Sequence, residues 1–171
     1  MRKGFTLIEM MISITILSIM MIFLYESYAS INRSNRFYKK ETTKLVESSE
    51  LKKIFYLDLS LAHYKSIQIL NQEKDEDVVF FQTSHSLHQR INPYVAYIKK
   101  DSKLYRLESL KPFKEYPLGV DDDYVVDELG DIDLLRLYKN QKNDTYLLNI
   151  TYKDSSEIIM KVKPLNQYNH S

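Results

Sequence analysis

The chain opens on a short polar segment, Met1 to Gly4, and turns apolar at Phe5. From Phe5 to Leu24 it carries a single charge, Glu9. A helix rising 1.5 Å per residue would take that run across about 30 Å, the thickness of one bilayer core. Residues 25–70 contain neither Gly nor Pro, so the helix is predicted to continue past Leu24. Leu45, Leu51, Ile54, Phe55, Leu61 and Ala62 recur at roughly helical spacing and make a stripe able to pack on a sheet. The pattern predicts a helix of about 60 residues from Phe5. A break or bend is expected between Ser30 and Arg36, where Ser, Asn and Arg cluster. The charged stretch Asn71 to Asp77 reads as the loop that ends the helix.

Beyond Asp77 the period changes from helical to alternating. Val78-Val79-Phe80-Phe81 is a short apolar β run. Tyr94 to Lys99 and Leu104 to Glu108 flank Lys100-Asp101-Ser102-Lys103, a hairpin pattern. Ile132 to Tyr138 reads as a further strand. Tyr146, Leu148, Ile150 and Tyr152 alternate with Thr145, Leu147, Asn149 and Thr151. Ile158, Met160 and Val162 alternate with Glu157, Lys161 and Lys163, and Asp154-Ser155-Ser156 joins the two as another hairpin. Strict alternation with one apolar face fits an antiparallel sheet covered on one side. The segment 40–70 is the most economical cover. The expected fold class is therefore α+β: a long N-terminal helix, membrane-spanning in its first half and amphipathic in its second, packed on an antiparallel β-sheet. Pro164 closes the last strand, and Asn166 to Ser171 reads as a tail.

Several features of the opening run separate it from an ordinary secretory signal. Such signals have a shorter apolar core, about 7–15 residues, before a small-residue cleavage site. Ser27-Tyr28-Ala29 before Ser30 is a site of that kind, but the run is too long and Glu9 has no place in it. The short basic leader, Gly4, Phe5, Glu9 and the apolar span together resemble the N-terminus of type IV prepilins and type II secretion pseudopilins. The resemblance implies a pilin-like fold and three segments: a leader at 1–4, a transmembrane and filament-core helix at 5–30, and a periplasmic α+β domain at 31–171. It implies a prepilin peptidase/methyltransferase that cuts between Gly4 and Phe5 and methylates the new amine of Phe5. It also implies subunit assembly through Glu9, whose carboxylate would pair with the Phe5 amine of a neighbour. A carboxylate inside a membrane helix costs at least about 2.5 kcal/mol, so a partner is called for. The alternative is an interfacial acid with no specific partner. Charge alone does not set the orientation, since Arg2 and Lys3 precede the span and Arg33, Arg36, Lys39 and Lys40 follow it. The resemblance implies a single pass through the bacterial inner membrane with the N-terminus cytoplasmic.

Composition adds bounds. The 171 residues suffice for one membrane helix and one modest domain. Loss of Arg2 and Lys3 would take Lys+Arg from 24 to 22 against 23 acids, so no nucleic-acid partner is expected from net charge. With no cysteine there is no disulfide framework or thiolate metal site. No cofactor and no enzymatic activity are expected, because no group of residues meets the demands of an active site. His85 and His88 have metal-compatible spacing but lack an evident third ligand, and read as solvated loop histidines; His63 reads as a helix-surface residue. The run from Asp121 to Asp133 is acidic, and Asp121, Asp122, Asp123 and Asp127 are the candidate calcium ligands, with Gly130 allowing a turn. It lacks EF-hand spacing, and a solvated loop or a docking face for a basic partner is the preferred reading.

Two further stretches narrow the resemblance. Leu51 to Ala62, with Asp58 inside it, is similar to the helix end of J-type minor pseudopilins, and Tyr94 to Arg106, with Tyr97 and a Leu104-Tyr-Arg106 return strand, is similar to a hairpin of that group. The tryptophans common there are missing. A J-type subunit implies I-like and K-like partners, a major pseudopilin and an inner-membrane assembly platform. The function so implied is a minor pseudopilin that starts a secretion filament; the alternative is a minor pilin of a type IV pilus or DNA-uptake system.

Overall fold

A computed structural model describes residues 6–63, 65–73, 76–118, 123–140 and 142–165. It contains one helix, α1 (Leu7–Ser60), and seven strands: β1 (Gln68–Glu73), β2 (Glu76–Gln82), β3 (Tyr94–Lys100), β4 (Lys103–Ser109), β5 (Tyr124–Asn140), β6 (Thr145–Tyr152) and β7 (Glu157–Val162). The chain divides into two units, Met1–Ser48 and Ser49–Ser171.

In the first unit the described residues from Leu7 onward are helix, and side chains are almost all exposed from Thr6 to Ser48. The expected break at Ser30 to Arg36 does not occur; α1 runs through it. Clustered Ser and Asn weaken a helix only slightly, and without Gly or Pro nothing interrupts the backbone ladder.

In the second unit, α1 ends at Ser60, ten residues earlier than the pattern suggested. Its last carbonyls are taken up by the sheet region: Leu165 donates its N–H to Ser60 O (2.8 Å) and Ser84 to Leu61 O (3.1 Å). Ala62, read as part of the helical stripe, instead bridges Thr83. Ile67 to Leu70 leads into β1 rather than prolonging the helix, and the expected charged loop at 71–77 is instead strand where it is described, Asn71 pairing with Asp77 and Glu73 with Glu76.

The strands form one sheet in sequence order, β1 to β7, with each successive pair antiparallel. β2 also meets β5 in a parallel bridge, Glu76 to Leu135. Beside that bridge the buried Asp77 carboxylate accepts from Arg136 (2.7 Å) and from the Leu137 N–H (2.9 Å), which ties the two strands together. The hairpin at Asp101-Ser102 is as expected. Both residues have positive φ (51° and 60°), the two-residue turn whose twist matches its strands.

The face toward α1 is the main core. Phe55, Leu59 and Ala62 join Val79, Phe81, Val95, Leu135, Ile150 and Val162, all at most 2% exposed. The opposite face of β2, β3 and β4 is also covered: Val78, Phe80, Ala96, Ile98 and Leu107 pack with Phe113, Tyr116 and Leu118. That second cover explains why Val78 to Phe81 is apolar without alternation.

β5 departs most from expectation. Only Ile132 to Tyr138 was legible as strand, and the acidic run before it read as loop; the strand begins at Tyr124 and takes in Asp127, Glu128, Asp131 and Asp133. Two register shifts, opposite Lys103–Tyr105 and at Ile132–Leu134, move its buried residues to Leu129, Ile132, Leu135 and Leu137. A bulge adds one residue and breaks the period of two, which hides the strand.

Candidate functional site

Two sites carry the chemistry, one at each end of α1's sequence. At the N-terminal end, Thr6 and Glu9 bond reciprocally. Glu9 Oε2 accepts from the Thr6 N–H (3.0 Å) and from Thr6 Oγ1 (2.9 Å), while the Glu9 N–H reaches Thr6 Oγ1 at 3.4 Å. This is a capping box: the threonine caps the helix and the acid three residues on returns to its amide. The negative charge also sits at the positive end of the helix dipole. Glu9 thus has an intrachain partner that the charge pattern alone did not reveal, although the Thr-Leu-Ile-Glu spacing encodes it. Glu9 Oε1 accepts no hydrogen bond among the described residues, which leaves an oxygen for a donor from outside. Gly4 and Phe5, the expected cleavage and methylation positions, lie outside the described residues.

The apolar run that follows satisfies its own polar groups. Ser13 Oγ donates to Glu9 O, Thr15 Oγ1 to Ile12 O and Ser18 Oγ to Ile14 O, each at 2.8 Å. Hydroxyls bonded to their own helix add no unsatisfied donor to a lipid environment. An 18-residue window reaches a mean hydropathy of 2.4, and none of it is buried by the rest of the chain. That helix fits a single-pass membrane anchor.

At the C-terminal end of α1, buried polar residues gather under a loop. Arg106 of β4 is fully buried. Its Nε donates to Asp58 Oδ2 (2.8 Å), Nη2 to Asp58 Oδ1 (3.2 Å) and Nη1 to Glu108 Oε2 (2.7 Å). Asp58 also accepts from Tyr97 Oη of β3 and pairs with His85 Nδ1, both at 2.5 Å. Glu108 accepts from Ser86 Oγ and from the Leu87 N–H. Asp127 pairs with His88 Nε2 at 3.0 Å and lies 3.6 Å from Arg106. Burial works against the Arg106 charge, but the two carboxylates outweigh it and hold the guanidinium protonated. Burial also pushes the Glu108 carboxyl up, yet donors from Ser86, Arg106 and Leu87 overcome that and leave it below its ordinary range. Burial, reinforced by Asp58, drives the Tyr97 hydroxyl well above its usual value.

Several expectations are corrected here. His85 is not a solvated loop histidine, being only 17% exposed and tied to Asp58, whereas His88 is exposed as expected and pairs with Asp127. His63 lies past the end of α1 with its Nε2 3.2 Å from Ser84 Oγ. From Tyr124 onward the acidic segment is strand and not loop: Asp123 is exposed just before β5, and Asp127 sits in the strand and faces His88. Asp121 and Asp122 lie outside the described residues. Among the described residues no group of three or more His, Asp or Glu could hold a metal ion. Sequence reasoning missed the network around Arg106, because β4 alternation marks that position as inward and an inward arginine finds its partners only through the fold.

Residues 1–25 match the family model of the prokaryotic N-terminal methylation motif. The match supports a protein of the type IV pilin and pseudopilin class, processed by a prepilin peptidase and assembled into pilus-like filaments. No curated protein and no solved structure matches the chain.

Proposed function

We propose that this chain is a minor pseudopilin, a structural subunit and not an enzyme, in the filament of a type II secretion system. The observation that carries the reading is the methylation motif on a bare apolar helix. The peptidase would cut between Gly4 and Phe5 and methylate Phe5, and the domain would then stand in the periplasm on its helix. The new Phe5 amine of one subunit would meet Glu9 of the next. Two charges that pair in a membrane offset each other's desolvation and fix the stagger between helices. The unoccupied Glu9 Oε1 supports this role, since the capping box need not break for the pair to form.

The J-type assignment gains support from convergence. Asp58, Tyr97 and Arg106 belong to the two stretches that resemble J-type subunits, and they bond to one another directly. A subunit of this type would act with I-like and K-like partners at the filament tip and with the major pseudopilin and inner-membrane platform during assembly. Deleting the gene and assaying secretion, transformation and twitching side by side tests the proposal. Loss of secretion alone is the expected result. Loss of transformation or twitching with secretion intact would replace the secretion filament by a type IV pilus or DNA-uptake machine.

A further inference from the structure

In the domain, Lys99, Lys103, Arg106, Arg136 and Lys139 each pair with a carboxylate within 4 Å, whereas exposed lysines such as Lys111, Lys114 and Lys161 form no ion pair among the described residues. On α1, Arg33, Arg36, Lys39, Lys40 and Lys44 are all exposed, and among the described residues none of them forms an ion pair. No acid occurs between Glu26 and Glu41. Arg33, Arg36, Lys40 and Lys44 stand at i, i+3, i+7 and i+11, so they share one face of the helix, with Lys39 at its flank.

Their position decides what they can meet. The apolar run ends at Leu24, and Tyr25 and Tyr28 follow, 74% and 65% exposed. Tyrosines at that place mark the bilayer–water boundary. From Tyr28 to Arg33 the helix rises about 7.5 Å, and a long arginine side chain can lean back toward the headgroups. Arg36 lies about 12 Å from Tyr28 along the axis, near one Debye length once its side chain leans back, and Lys39 and Lys40 lie farther out at about 16–18 Å. Positive charge on this side of the span also opposes the topology that the leader's Arg2 and Lys3 promote. A feature that weakens the insertion signal calls for a compensating use.

We infer that the basic face of α1 from Arg33 to Lys40 binds the phosphate headgroups of anionic phospholipids in the leaflet from which the domain emerges. The inference rests on the membrane-anchor reading above. Binding holds the unassembled subunit upright and at fixed depth, and it is released as the helix leaves the bilayer for a filament. Clusters of Lys and Arg next to a span attract anionic lipid additively, and salt screens the attraction.

The test uses the full chain reconstituted in phosphatidylcholine bilayers with spin-labelled phosphatidylglycerol or phosphatidylcholine as probe. The motionally restricted fraction should show the glycerol lipid associating at least about threefold more strongly, with the preference shrinking as salt rises from about 0.1 to 1 M. The variant carrying Arg33→Gln, Arg36→Gln, Lys39→Gln and Lys40→Gln should lose at least half of that preference while still resisting alkaline carbonate extraction. Equal association of both lipids with the original chain, or an unchanged preference in the variant, overturns the inference. If the original chain is itself extracted by carbonate, the membrane-anchor reading fails and the inference falls with it.

Discussion

Glu9 serves one end of α1, and Asp58 and Glu108 serve the other. Glu9 closes the capping box with Thr6 and keeps one oxygen open. Glu9→Val should still be cut at Gly4 but should assemble poorly; normal filament incorporation of that variant, measured by shearing and immunoblot, would count against pairing with Phe5. Asp58 and Glu108 hold Arg106 where no water reaches it. Breaking a buried pair by removing one partner costs about 3–5 kcal/mol, because the charge left behind is uncompensated. Arg106→Leu, which strands two acids, should lower the denaturation midpoint of the detergent-solubilised chain accordingly, more than Lys139→Leu, whose surface pair is worth at most about 1 kcal/mol. Glu108 adds a pH dependence. Its carboxyl lies below its ordinary range in the fold. Its contribution is therefore complete above the unfolded value of about 4.3 and is lost as pH falls through the lower folded value. Thermal melts between about pH 6 and 3 should show a steeper acid limb for the original chain than for Glu108→Gln.

Most elements were legible in the sequence where one physical signal dominated. The apolar run, the β3–β4 turn and the β6–β7 alternation each follow a single period, and each stands where expected. The misses share a cause in competing signals. Residues 61–70 carry no breaker, so only the sheet's claim on the Ser60 and Leu61 carbonyls ends α1. β5 hides behind its bulges and its acids. Of the N-terminal site, the sequence displays the motif but not the cap, and of the Arg106 network it displays the members but not their meeting. Gly130 is the residue that lets β5 deviate. Its φ is +112°, and an added Cβ would lie 3.2 Å from the Tyr152 ring. Burial pushes that tyrosine's hydroxyl up to about 12, and its Oη has no partner among the described residues. Gly130→Ala should destabilise the chain by about 1–3 kcal/mol through backbone strain, with the crowded ring adding to the loss. A melting temperature equal to that of the original chain would show that β5 can straighten without cost.

At the scale of the molecule, one sequence serves two solvents. Residues 7–24 expose apolar side chains that only lipid or a helix bundle can cover, while the second unit buries a core that includes Phe55, Leu59, Val79, Leu135 and Ile150. Between them lies a basic, exposed stretch of helix. This division is what a filament subunit requires before assembly, when the helix waits in the membrane and the domain folds outside it. Under the proposed function, everything then depends on processing at the N-terminus. N-terminal sequencing and intact mass of the mature protein from its native membrane test that claim most directly. A chain beginning at N-methylated Phe5 is the predicted result. A chain beginning at Ser30, or one that retains Met1 to Gly4, would contradict it.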